Sequence, residues 1–167
     1  MILCPNTSPL LVLARLDRLD LLGDPGRIAL TSAVLSEVRD KVDVATERVN
    51  ALAARIDPPV DLPSSDRVDP SRNLGPGERS VLLWTLSHGP EGVCVLDDSA
   101  ARAEARRLGL AVTGTLGLVL RAKLEGRLGL AAPVLHEAVA AGLYLDESTL
   151  RAALARVGES WEEPPPR

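Results

Sequence analysis

Val93-Cys94-Val95-Leu96-Asp97-Asp98-Ser99 is the stretch on which the fold turns. Val93 to Leu96 is β-branched and continuously apolar, the pattern of a strand buried on both faces, and so predicts a central, parallel strand. It runs directly into Asp97, Asp98 and Ser99, after which Ala100 to Leu108 reads as a helix. Leu110 to Thr113 is a further strand, and Gly114-Thr115-Leu116-Gly117 turns it into another helix.

The same alternation extends upstream. Ile2-Leu3-Cys4 predicts a short buried strand that ends at Pro5-Asn6-Thr7-Ser8-Pro9, where capping residues and a proline open a helix over Leu10 to Leu22. Asp24-Pro25-Gly26 is a turn, Arg27 to Leu30 a second strand, and Thr31 or Ser32 the cap of a helix carrying Val34, Leu35, Glu37 and Val38. Val42, Ala45, Val49, Leu52, Ala53 and Ile56 keep helical spacing until Pro58 and Pro59. Residues 57 to 75 read as an exposed loop, and a helix follows from Pro76 to about Gly89. Downstream, Pro133 to Gly142 and Glu147 to Gly158 predict two helices, with Leu143-Tyr144-Leu145 an edge strand between them. The expected domain spans residues 1–158, followed by a flexible tail over 159–167. Alternating strands and helices without repeats call for an α/β fold, a three-layer α/β/α sandwich around a parallel sheet.

Composition narrows the function. The 167 residues are 46% apolar but only 2% aromatic, with no Phe, so the core is aliphatic and stacking is excluded as the main route to nucleic acid. A net charge of −4 gives no global basic field, and polyanion contact has to be local or cation-mediated. The basic residues are nearly all Arg; this suits phosphate, but a GC-rich coding sequence is the preferred explanation. Cys4 and Cys94 sit in apolar runs and read as buried free thiols. There is no signal-peptide pattern and no run long enough for a bilayer, so the expectation is a cytoplasmic protein with no membrane partner.

Ligands of an open parallel sheet bind beyond the carboxyl ends of its strands. Polar residues stand there: Asn6 after the first strand, Asp97 and Asp98 after Val93–Leu96, Thr113 and Thr115 after the next. Glu37 lies on the helix after the second strand and Glu78 in the first turn of the helix before Val93. Crowded carboxylates raise one another's pKa or recruit a cation, and oxygen-only ligands suit Mg²⁺ or Mn²⁺. Such a metal lowers the pKa of bound water and clamps a phosphoryl oxygen, as phosphodiester hydrolysis requires. Each residue also has a structural reading. Glu78 in Gly-Pro-Gly-Glu is a helix N-terminal acid, Asp98 and Ser99 are a helix cap, and Glu37 is a solvated helix residue. The Gly114 turn lacks the lysine and spacing of a P-loop, although a nucleotide site on its backbone is a weaker third reading. His88 and His136 lack neighbouring metal ligands and read as structural.

Taken together, these pieces resemble a known group. Asn6-Thr7-Ser8-Pro9-Leu10 resembles the "DTSPL" opening of PIN-like proteins, in the branch related to the VapC-type toxins of toxin–antitoxin pairs. Ser36-Glu37-Val38, Gly77-Glu78, Leu96-Asp97-Asp98 with Ala101-Arg102, Leu108-Gly109-Leu110, Gly114–Gly117, Ala122-Lys123 and Gly126 follow in the same order. The resemblance spans about residues 1 to 150. It implies a PIN-type ribonuclease dependent on Mg²⁺ or Mn²⁺, whose metal set would be Asn6, Glu37, Glu78 and Asp97, with Asp98 sharing or replacing the role of Asp97. Glu37, Glu78 and Asp97 would be catalytic, and Thr115, Arg102 and Lys123 would contact substrate. Arg106, Arg107, Arg121 and Arg127 extend the positive flank. The implied partners are RNA, an antitoxin protein and a second copy of the chain. The family has Asp where this chain has Asn6, which keeps a carbonyl oxygen and loses a full negative charge. The alternative is therefore a PIN scaffold that has lost catalysis and binds RNA or a protein.

Overall fold

The computed structural model describes residues 1–41, 43–58, 67–69 and 73–162. The chain begins with strand β1 (Ile2–Pro5), then helices α1 (Thr7–Arg15), α2 (Ser32–Arg39), α3 (Val44–Ala53) and α4 (Pro76–His88). Strand β2 (Gly92–Val95), helix α5 (Ser99–Arg107) and strand β3 (Ala111–Thr113) follow. Helices α6 (Thr115–Leu124), α7 (Ala132–Ala140) and α8 (Glu147–Ala155) complete the fold.

The strands form one parallel sheet in the order β1-β2-β3, with Cys4 beside Cys94 and Cys94 beside Val112. The Val93 strand is thus the central one, as its continuous apolar run requires. Helices cover the sheet in an α/β/α arrangement; α4 lies against β1 and β2, and α1 packs on α3. The core is aliphatic, built from side chains such as Leu10, Leu13, Val34, Leu82, Leu96 and Leu118. The thiols of Cys4 and Cys94 are free and buried, and burial holds Cys94 up at about 11.

Several expected elements are changed. Arg27–Leu30 is not a strand: the Pro25–Arg27 turn and the Thr31 cap leave room only for a single parallel bridge between Leu3 and Ile28. The helix expected over Leu10 to Leu22 starts at Thr7 and stops at Arg15, because Asp17 adopts φ 58°; Leu19–Leu22 is a separate 3₁₀ turn. Leu143–Leu145 forms no strand but links α7 to α8.

Val42 and the loop positions 59–66 and 70–72 lie outside the described residues. Elsewhere in that loop Val68 and Leu74 are buried, so it contributes to the core rather than lying wholly exposed. The tail expected from 159 onward is tied down at its start. Glu159 accepts from the Ala131 and Ala132 N–H groups, and Trp161 stacks on His136 at 3.7 Å. Residues 163–167 lie outside the described residues.

Candidate functional site

Parallel pairing brings the ends of β1 and β2 side by side: Pro5 pairs with Val95, and the Asn6 N–H donates to the Val95 carbonyl at 3.0 Å. Asn6 therefore begins α1 beside Leu96 and Asp97. It occupies the N-cap position, yet its side chain makes no capping bond. Asn6 is 6% exposed, and its buried Oδ1 has no hydrogen-bond partner.

The oxygen faces Glu37. A methyl group at Gly77 would stand 2.8 Å from Asn6 Oδ1 and 2.6 Å from Glu37 Oε2, so only glycine leaves that space open. Glu37 is fixed by two donors, the Thr7 hydroxyl at 2.5 Å and the Gly77 N–H at 2.7 Å. The second donor belongs to the first turn of α4, where the helix dipole favours an anion. Glu78, one residue on, folds back to accept the Gly75 N–H at 2.8 Å. A methyl group at Gly75 would be 3.8 Å from both the Glu37 and the Glu78 carboxylates. Burial pushes Glu78 above its ordinary range, and the Asp98 and Glu37 charges push the same way against the Gly75 hydrogen bond.

Asp97 lies across the cleft, its Oδ1 accepting the Thr115 N–H and its Oδ2 the Thr115 hydroxyl, both at 2.7 Å. Burial nevertheless raises its pKa, against the pull of those bonds and of Arg102. Gly114 keeps this corner open, since a methyl group there would lie 2.7 Å from Asp97 Oδ1 and 2.8 Å from Arg102 Nη1. Asn6, Ser8, Glu78, Asp97, Asp98 and Arg102 line one cavity of about 600 Å³.

The profile of one protein family, described as a PIN domain, matches residues 2–159. This chain belongs to the PIN-domain family. PIN domains have a nuclease-like fold, generally use divalent metal ions and commonly bind RNA. No curated protein and no solved structure matches the chain. No helix among the described residues of the PIN domain is long and apolar enough to cross a membrane.

The oxygen-only donors fit a hard dication: an orphaned buried carbonyl, a carboxylate facing it, and two further carboxylates whose burial leaves charge to be compensated. Among the described residues, no three Asp, Glu, His or Cys side chains converge closely enough to hold an ion. Mg²⁺ typically keeps several of its waters, so a cation touching one or two of these oxygens directly would reach the other carboxylates through water.

The other expected site residues divide clearly. Asp98 is the N-cap of α5, accepting the Ala101 N–H at 2.8 Å, and contributes its charge at the cleft rim. Arg102 donates to the Leu96 carbonyl at 2.8 Å and lines the cleft with Arg106. Lys123 is not brought to the cleft: it sits at the far end of α6 from Thr115, roughly 12 Å along the helix, and pairs with Glu159 at 3.2 Å. Arg107 is engaged by Glu104, and Arg121 and Arg127 by Glu125. His88 stacks on Trp84 at 3.8 Å and His136 on Trp161, and neither lines this cleft.

Sequence reasoning passed over Thr7, the donor that orients Glu37. Its place directly after Asn6 was the available signal.

Proposed function

We propose that this PIN domain is a metal-dependent ribonuclease acting on single-stranded RNA, with Asn6, Glu37, Glu78 and Asp97 holding Mg²⁺ or Mn²⁺. The unpartnered Asn6 oxygen turned toward Glu37 carries the reading. Two acceptor oxygens facing one point repel each other, and a cation shared between them removes that cost.

When bound, the cation supplies a water of lowered pKa and neutralises charge on a phosphoryl oxygen. The chain itself supplies orientation. Thr7 and Gly77 hold Glu37, Gly75 holds Glu78, and Thr115 holds Asp97, so the ligand oxygens are placed before any cation arrives. Arg102 and Arg106 form the positive flank against which an RNA phosphate is positioned.

The resemblance to VapC-type proteins supports a toxin role, with an antitoxin protein or a second copy of the chain as partner. The free Cys4 and Cys94 suit a reducing cytoplasm.

Asn6 also favours a second reading. A half-turn of its amide places Nδ2 where Oδ1 stands and lets it donate to Glu37, closing the corner without metal. That geometry belongs to a scaffold that binds without cutting.

Incubating the full chain with labelled single-stranded RNA and Mn²⁺ separates the two. Cleavage by the wild type that is lost in Glu78→Gln supports the ribonuclease. An inactive wild type with activity gained in Asn6→Asp supports the scaffold.

A further inference from the structure

We infer that Tyr144 is the base-stacking platform of this cleft: a single-stranded RNA lays one unpaired base on its ring while the adjoining phosphate rests against Arg102 and Arg106. The inference rests on the ribonuclease reading and names the part of the substrate that the acidic side chains cannot hold.

Tyr144 is 93% exposed, an unusual position for a residue with so much apolar surface. The two tryptophans are occupied elsewhere, Trp84 against His88 and Trp161 against His136. The backbone around Tyr144 is anchored. Gly142 turns the chain at φ 109°, Leu143 is buried against Val12 and Ala138, and Leu145 packs on the core. Leu143 points inward and Tyr144, next to it, points out. A ring presented from a fixed backbone loses little freedom when a base settles on it.

Its location gives it a purpose. Tyr144 lines the same cavity as Asn6, Glu78, Asp97, Arg102 and Arg106. A volume of about 600 Å³ admits a nucleotide. Arg102 and Arg106 are the cations on the cavity wall, among the carboxylates Glu78, Asp97, Asp98 and Asp146. Asp146, also on its wall, is held at about 2 by hydrogen bonds from Ser148 and Thr149, so it stays ionised beside Tyr144. A phosphate is repelled there and drawn to the Arg102–Arg106 side, whereas an uncharged base is tolerated next to the ring. A second cavity, of about 580 Å³, shares Asp97, Arg102, Arg106 and Leu145 and has Arg156 on its wall, a third cation near the first cavity. Paired bases already stacked in a duplex cannot reach a single projecting ring, so the arrangement selects single strands. The low aromatic content excludes a multi-base platform but not one ring at the cleft mouth.

Fluorescence anisotropy of the full chain with a labelled RNA of about ten nucleotides tests this, with Ca²⁺ in place of Mn²⁺ and the RNA checked for integrity. Tyr144→Ala should weaken binding roughly ten-fold, Tyr144→Phe and Tyr144→Trp should retain it, and an RNA lacking bases should bind wild type no better than intact RNA binds Tyr144→Ala. Unchanged affinity in Tyr144→Ala, or equal affinity of the wild type for duplex RNA, overturns the inference. If binding is unchanged in Tyr144→Ala and the wild type still cleaves RNA, Tyr144 alone is misassigned. If the wild type neither binds nor cleaves, the ribonuclease reading fails and this one with it.

Discussion

Asp97 takes both of its strong hydrogen bonds from one residue, Thr115, whose N–H reaches Oδ1 and whose hydroxyl reaches Oδ2, each at 2.7 Å. The pair joins the end of β2 to the first turn of α6, and so joins the sheet edge to the helix that follows the neighbouring strand. It fixes both carboxylate oxygens, each of which keeps a further lone pair for another partner, and Asp97 lines the cleft.

Thr115→Val removes the hydroxyl donor and keeps the shape. Since Thr115 and most of Asp97 are buried, the loss should cost about 1–3 kcal/mol of stability in urea unfolding. Thr115→Ser should recover most of it. An unaffected Thr115→Val would show that the bond is not formed.

Gly77→Ala drives a methyl group into the space between Asn6 and Glu37, 2.6 Å from Glu37 Oε2. The helix itself should tolerate alanine there. The expected outcome is loss of Mn²⁺ binding in calorimetry with helix content retained in circular dichroism. Gly129→Ala, where a methyl group meets nothing within 4 Å, serves as the control.

Burial raises both Asp97 and Glu78. A carboxyl whose folded pKa exceeds its unfolded pKa favours the folded state below the unfolded value and loses that contribution as pH rises toward the folded one. Thermal melts in chelator should therefore show Asp97 and Glu78 lowering stability as pH climbs out of the ordinary carboxylate range, and Asp97→Asn should flatten that fall. Mn²⁺ affinity runs the other way, weakening as pH drops through the raised pKa values. Asp43, lowered mainly by Arg15, and Asp146 at about 2 act in the opposite sense, losing stability only at lower pH.

Much of this was legible in the chain because the physics was local. The Val93 run could be buried only as a central strand, and the acids at 97 and 98 follow it without a gap, so sheet edge and cleft came together. Asp98 as a cap and Glu78 as a first-turn acid were also readable, since capping depends on neighbours in sequence.

What depended on distant contacts was not legible. Arg27–Leu30 has strand composition, but a proline turn before it and a cap after it leave only one bridge. Lys123 was placed by resemblance, and its partner Glu159 lies in a segment read as tail. Tyr144 was hidden inside an apparent edge strand, because only the burial of Leu143 shows which way the ring points. The openings at Gly77 and Gly114 are spaces between elements, which no sequence pattern records.

The central claim is that Asn6, Glu37, Glu78 and Asp97 share one cation, and the most direct test is a Mn²⁺ titration of the wild type against Asn6→Asp by calorimetry at neutral pH. Restoring a full charge at the orphaned oxygen should tighten binding by at least about ten-fold, with Asp97→Asn abolishing it in both backgrounds. Equal and negligible affinity in the wild type and Asn6→Asp would contradict the account.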